Sequence, residues 1–206
     1  MLNLKNYYIY GTSGMRGIFI AKGNVLEILR EGKIKTRKSL SLHWDACNRE
    51  NEICLVDPQI KVSKFNLSNS AFDMFVKQGL SLVLSRDIPG IYKPEVITNN
   101  PRQCLQLNAT NLLDEVRHKG DISLKYLEFI TVPFTVENRH VEPNSDKLQS
   151  LLPIVNSIEE EFPDIEIKDL YTGLPISSNK IRGKLSTQET ISLDKVPVLI
   201  KTIKNL

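Results

Sequence analysis

The string Tyr10-Gly11-Thr12-Ser13-Gly14-Met15-Arg16-Gly17 gathers the residue types that can hold a phosphate. Glycines at 11, 14 and 17 let the backbone turn and approach a ligand closely. Two hydroxyls and free N–H groups can bond phosphate oxygens, with Arg16 as the counter-charge. The same spacing also describes a plain glycine-rich turn between two strands. Other chemistries are poorly served. His43 and Cys47 lie four residues apart with Cys54 beyond, but no C-x-x-C or H-x-x-x-H pair accompanies them, so no zinc site is expected. His43, His118 and His140 sit in no recognisable nucleophile context, which argues against a serine or cysteine hydrolase. A sequence-specific DNA reader would show a basic helix or a helix-turn-helix, and neither pattern occurs.

The elements that must position these residues read as short strands with few helices. Tyr7-Tyr8-Ile9-Tyr10 is an aromatic, β-branched opening strand stopped by Gly11, and Arg16 to Ile20 is a second extended piece. Asn24 caps a short helix carrying Val25, Leu26, Ile28 and Leu29, which Gly32 ends; the cationic stretch Lys33 to Lys38 then reads as a solvated loop. Glu52 to Val56 is a strand closed by Asp57-Pro58, Ser68 to Gln78 a helix, and Leu80 to Ser85 a mostly buried strand. Asp87 to Arg102 is the longest candidate loop, followed by a short strand over Cys104 to Leu107. Glu115-Val116-Arg117 and Tyr126 to Val136 are extended, although Asn111 to His118 is also compatible with a helix. Pro133 suits an edge strand. Ser145 opens a helix running to Glu161 with Pro153 in its middle, Ile165 to Ile167 returns as a strand, and Asp194 to Leu206 is a lysine-bearing tail. The fold class is α+β, with a core over residues 1–140 and an extension over 141–206 packed on it.

Composition sets the outer limits. Of 206 residues, 41% are hydrophobic and 25% charged, which is too apolar for disorder and enough for a core without staples. A net charge of +3 neither demands nor excludes an anionic partner. No apolar run approaches the roughly 18 residues of a membrane span. Met1 to Ile20 carries Lys5, Asn6 and four aromatic residues, and does not read as a signal peptide. Three cysteines in a chain that is not cysteine-dense point to a reducing compartment.

Two family resemblances follow from these motifs. The octapeptide at 10–17 looks like the opening of the phosphohexomutases, but their phosphoserine loop and Asp-Gly-Asp magnesium motif do not occur. A longer likeness runs from Tyr8 to Pro133. Tyr10-Gly11-Thr12-Ser13 followed by Leu26 to Ile34 resembles the start of an ADP-ribosyltransferase domain, where a first strand ends in His-Gly-Thr or an Arg-bearing equivalent and a short helix ends in Leu-x-x-Gly. Ile53-Cys54-Leu55-Val56-Asp57 stands in order where that family has a Ser-Leu-Ser or Ser-Leu-Thr phrase, with Ser39-Leu40-Ser41 as an alternative place for it. Gly79 to Asp87 is similar to the next strand. Asp114 to Arg117 with Gly120 to Pro133 is similar to the stretch bearing the catalytic glutamate.

The resemblance implies split antiparallel sheets, NAD as cosubstrate, and transfer of ADP-ribose to a macromolecular target by a toxin- or effector-type protein. It implies Glu115 as the catalytic carboxylate, with Glu128 in reserve. Gly11 would fix the nicotinamide amide, Thr12 and Ser13 would contact ribose, and Tyr10 would form a wall. Cys54 would line the site from the phrase strand, and Arg16 or Arg86 would neutralise pyrophosphate. The family's reactions imply an intracellular place of action, in the cytoplasm or after delivery into a host cell, with a protein target favoured over nucleic acid. Tyr10 replaces the histidine, and Cys54 and Val56 replace hydroxyl residues. A catalytically inactive binding module, gripping a partner through Lys33 to Lys38 and Arg182 with Lys184, is therefore the alternative.

Overall fold

A computed structural model describes residues 1–12, 25–36, 52–61, 72, 76, 77, 79–93, 114–135 and 145–187. Its frame is a six-stranded sheet, built from β1 (Tyr7–Gly11), β3 (Glu52–Val56), β4 (Ser81–Ser85), β5 (Glu115–Lys119), β7 (Leu127–Val132) and β8 (Ile167–Asp169). The spatial order is β5-β3-β1-β4-β7-β8, and every neighbour is antiparallel except β7 with β8. A separate two-stranded ribbon joins β2 (Lys33–Ile34) to β6 (Ile122–Ser123). Helices α1 (Val25–Glu31), α2 (Ser145–Glu161) and α3 (residues 178–187) complete the described α+β architecture.

Alternation along the strands divides the sheet into two faces. One face carries Tyr10, Ile53, Leu55, Leu82, Leu84, Val116, Ile130 and Val132, which form a single core with α1, α2 and α3. Val25, Ile28 and Leu29 present one side of α1 to it, and Leu148, Leu151, Val155 and Ile158 do the same for α2. The other face carries Ile9, Val56, Val83 and Phe129 under Leu4, Val76 and Leu170. With both faces covered, all five residues of β3 are buried, which explains why its sequence does not alternate.

Both sheet edges are closed by short segments. Tyr92 pairs with Arg117 on the outer side of β5, exchanging N–H···O bonds of 2.9 and 2.8 Å. Pro175 bridges to Lys168 on the outer side of β8. Residues 145–187 are therefore joined to the core, with α2 on the main core and β8 in the sheet itself.

Several sequence expectations change. Lys33 and Ile34 form β2 and not a loop, because Ile34 is buried in the core while Lys33 pairs with Asp121 across the ribbon at 2.8 Å. The strand expected over Tyr126 to Val136 ends at Val132, so Pro133 terminates β7. Nor is β7 an edge, since β8 adds on its far side. Residues 115–118 are strand and not helix. Pro153 lies on the exposed side of α2, where a missing N–H leaves a carbonyl open to water, and the helix continues through it. The extended piece at 16–20, the Asn24 cap, Ser39-Leu40-Ser41, the strand at 104–107 and the tail at 194–206 lie outside the described residues, as does most of the segment 68–78.

Candidate functional site

β1, β3 and β5 are far apart in sequence yet successive in the sheet. Ile9 pairs with Val56, and Val56 pairs with Glu115, so these three side chains share one row and one face. β1 and β3 share that single paired position, whereas β1–β4 and β3–β5 each share five. The sheet is thus least tightly laced between the strand bearing Gly11 and the strand bearing Cys54. Gly11 stands two residues along and two strands over from Glu115, roughly 7 Å by roughly 10 Å in ideal sheet geometry.

Glu115 opens β5 and is 2% exposed. Its partner is Arg117, two residues on and therefore on the same face. Arg117 Nε donates to Glu115 Oε1 at 2.9 Å, and Arg117 Nη1 donates to Glu52 Oε2 at 2.9 Å. The Tyr92 hydroxyl donates to the same Glu52 carboxylate. Arg117, at 1% exposed, is the largest of the fully buried side chains among the described residues. Burial opposes its charge, but Glu115 and Cys54 nearby and the hydrogen bonds to both carboxylates hold the guanidinium more firmly protonated than an ordinary arginine.

Next along this face lie small polar groups. Cys54 pairs with Arg117, Gly11 with Ser81, and Ser81 with Thr131. Ser81 Oγ and Thr131 Oγ1 are fully buried and have no hydrogen-bond partner among the described residues. Thr12 is different: its hydroxyl donates to the Leu80 carbonyl at 2.7 Å and its N–H to the same oxygen at 3.2 Å.

The remaining candidates are not gathered at Glu115. Tyr10 alternates with Ile9 and enters the core on the opposite face. Arg86 follows β4 at the far end of β1 from Gly11. Its guanidinium lies 4.6 Å from the centre of the Tyr8 ring, donates to Lys5 O at 3.0 Å and pairs with Asp57. Tyr8 is adjacent to Ile9, so Arg86 too belongs to the opposite face. Glu128 is exposed at the register shift between β4 and β7. Arg182 bonds Asn156 Oδ1 at 2.8 Å and Asn179 Oδ1 at 3.1 Å, and Lys184 lies 4.9 Å from the Phe134 ring centre. Ser13 and Arg16 lie outside the described residues.

Sequence reading missed Arg117, Glu52, Tyr92, Ser81 and Thr131. For Arg117 a signal existed, because opposite charges two residues apart on a strand must share a face. Glu52 and Tyr92 come from distant segments and carried none.

Among the described residues no group of three His, Cys, Asp or Glu side chains could hold a metal ion, and no helix is long and apolar enough to cross a membrane. No protein-family model, curated protein or solved structure matches this chain.

Proposed function

We propose that the chain is an ADP-ribosyltransferase-like protein that binds NAD and transfers ADP-ribose to a macromolecule inside a cell, with Glu115 as its catalytic carboxylate. The reading rests on one observation. The three segments that resemble this family's first strand, its phrase strand and its glutamate strand are β1, β3 and β5, immediate neighbours in the sheet despite the roughly hundred residues between Gly11 and Glu115. A chance order of motifs does not require that neighbourhood.

The chemistry asked of Glu115 is electrostatic. NAD supplies an ADP-ribosyl group whose bond to nicotinamide breaks with the electron pair leaving on the ring nitrogen. A carboxylate fixed beside the ribose stabilises the positive charge that develops there. The acceptor then forms the new bond and releases a proton. Gly11 leaves its position on this face without a side chain, and the unpartnered hydroxyls of Ser81 and Thr131 suit a polar ligand better than an apolar one. Thr12 and Arg86 are engaged internally, so the proposal assigns ribose and pyrophosphate contacts to Ser13 and Arg16. A protein target is favoured, since the net charge of +3 gives no strong pull on a nucleic acid.

Incubation with labelled NAD and a cell lysate tests this reading. Wild-type protein is expected to transfer label, and Glu115→Gln to lose at least about a hundredfold of that activity while melting as a folded protein. Equal labelling by the two removes Glu115 from the chemistry.

The binding-module alternative is favoured by β3, where Cys54 and Val56 supply no hydroxyl. It predicts no rise in melting temperature at millimolar NAD, whereas the enzyme reading requires one, because a ligand bound only by the folded state stabilises it.

A further inference from the structure

We propose that the large sheet is two laced halves joined by one bonded pair, Ile9 with Val56, and that this seam opens from its Gly11 end about a tie between Arg86 and Asp57. The inference stands on strand pairing and does not need the chemistry proposed for Glu115.

β5 and β3 form one half, and β1, β4, β7 and β8 form the other. Within the halves, neighbouring strands share three to five paired positions, whereas β1 and β3 share Ile9 with Val56 alone. Main-chain groups alternate in direction along an antiparallel strand, so the bonds to each side can be assigned. The Thr12 N–H donates to Leu80 O beside β4, which turns the N–H and carbonyl of Gly11 and Ile9 toward β3. The Asp57 N–H donates to Asp114 O beside β5, which turns those of Val56 and Cys54 toward β1. Ile9 and Val56 are therefore the pair bonded across the seam, and Gly11 opposite Cys54 is the next position able to pair. No bridge joins those two.

In the other direction the same register sets Tyr7 opposite Pro58, which has no N–H to give. A side-chain tie takes the place of that bond. The Arg86 guanidinium reaches from the end of β4 over the Tyr8 ring, 4.6 Å from its centre, to the Asp57 carboxylate at the end of β3. There Nη1 donates to Oδ2 at 3.4 Å and Nη2 to Oδ1. Arg86 Nε is fixed to Lys5 O at 3.0 Å, just ahead of β1. One arginine thus spans three strands at this end, while Gly11 has no side chain with which to make a matching tie at the other. The helix-covered core takes Ile53 and Leu55 from one half and Leu82 and Leu84 from the other, so packing keeps the halves together while the seam parts.

Amide hydrogen exchange read residue by residue tests the device. In wild type, the N–H groups of Ile9 and Val56, which cross the seam, are expected to exchange at least about tenfold faster than those of Tyr8, Tyr10, Leu82 and Leu84, which lace β1 to β4. Arg86→Gln should speed Ile9 and Val56 by about a further tenfold and leave the β1–β4 set within about twofold. Asp57→Asn cuts the tie from its other end, keeps an acceptor for the Gln59 N–H, and should reproduce the pattern. Equal protection of the two sets in wild type overturns the seam, whatever the variants do. Equal acceleration of both sets in the variants, or none at Ile9 and Val56, overturns the tie.

Discussion

The two edges of the sheet each bury an acid, and they hold it by opposite means. On β5, Glu115 is bound by a buried cation that a second carboxylate shares. On β8, Asp169 is bound by neutral donors: the N–H groups of Thr135 at 3.0 Å, Phe134 and Thr172 at 3.2 Å and Tyr171 at 3.4 Å, with the Thr172 hydroxyl at 2.7 Å. Five dipoles from two segments, 134–135 and 171–172, converge on this carboxylate and tie the two segments together. The acid on β8 is fastened by dipoles, and the acid on β5 by a cation it shares with Glu52.

That contrast breaks most visibly at Arg117. Arg117→Met leaves two buried carboxylates without their cation and is expected to cost about 3–5 kcal/mol in urea unfolding. A cost under about 1 kcal/mol would mean that the β5 edge does not depend on its charges, and the distinction between the edges would fail. Because the Arg117 guanidinium is held protonated well beyond any working pH, its charge adds no pH dependence of its own.

Asp169→Ala should cost less, about 2–3 kcal/mol, through donors left without an acceptor. Its signature is pH. Burial raises the Asp169 pKa, but the hydrogen bonds from Thr135, Thr172 and Tyr171 outweigh burial and hold the carboxyl below the usual aspartate range. With the folded value depressed, the stabilisation is complete above the unfolded value of about 3.9 and is lost as pH falls from there through the folded value. Asp169→Asn should therefore flatten the acid limb of the stability curve. An unchanged acid limb in that variant would show that the fastening does not need the ionised carboxylate.

The turns that follow the two edge strands sharpen the comparison. Gly120, after β5, and Gly173, beyond β8, both have positive φ, +81° and +73°. A Cβ at Gly120 meets nothing within 4 Å, whereas one at Gly173 would stand 2.9 Å from Leu2 Cδ1. Gly120→Ala carries the backbone term alone, about 1 kcal/mol, and Gly173→Ala adds displacement of Leu2, for about 1–2 kcal/mol by thermal or urea unfolding. Equal costs would show that Leu2 yields freely.

Legibility followed the range of the interactions. Glu52 to Val56 and Ser145 to Glu161 could be read because aliphatic runs and a helical stripe are local signals. The neighbourhood of β1, β3 and β5 could not be read from periodicity, since order in space depends on pairings across some hundred residues. The β2 ribbon was obscured because Lys33 and Lys35 look solvated while Ile34 between them is buried. Glu115 was found through a family likeness, and its environment was not. Arg86 looked free to meet a phosphate because Asp57, 29 residues away, gave no sign of claiming it.

Between the two edges, Ser81 and Thr131 face each other across β4 and β7 as buried hydroxyls with no hydrogen-bond partner among the described residues. Neither the dipoles of the β8 turn nor the charges of β5 serve them. An unsatisfied buried hydroxyl costs free energy that its apolar isostere avoids, so Ser81→Ala and Thr131→Val should each be neutral or stabilising, by up to about 1 kcal/mol. The small size of the effect is informative because its sign is unusual for substitutions at fully buried positions, most of which destabilise. Loss of more than about 1 kcal/mol in either variant would mean that an internal water already satisfies the pair, and the middle of the sheet would then resemble the neutral fastening at β8. A gain in the free protein, together with a smaller NAD-induced rise in melting temperature, would instead align the pair with Glu115 on the face they share.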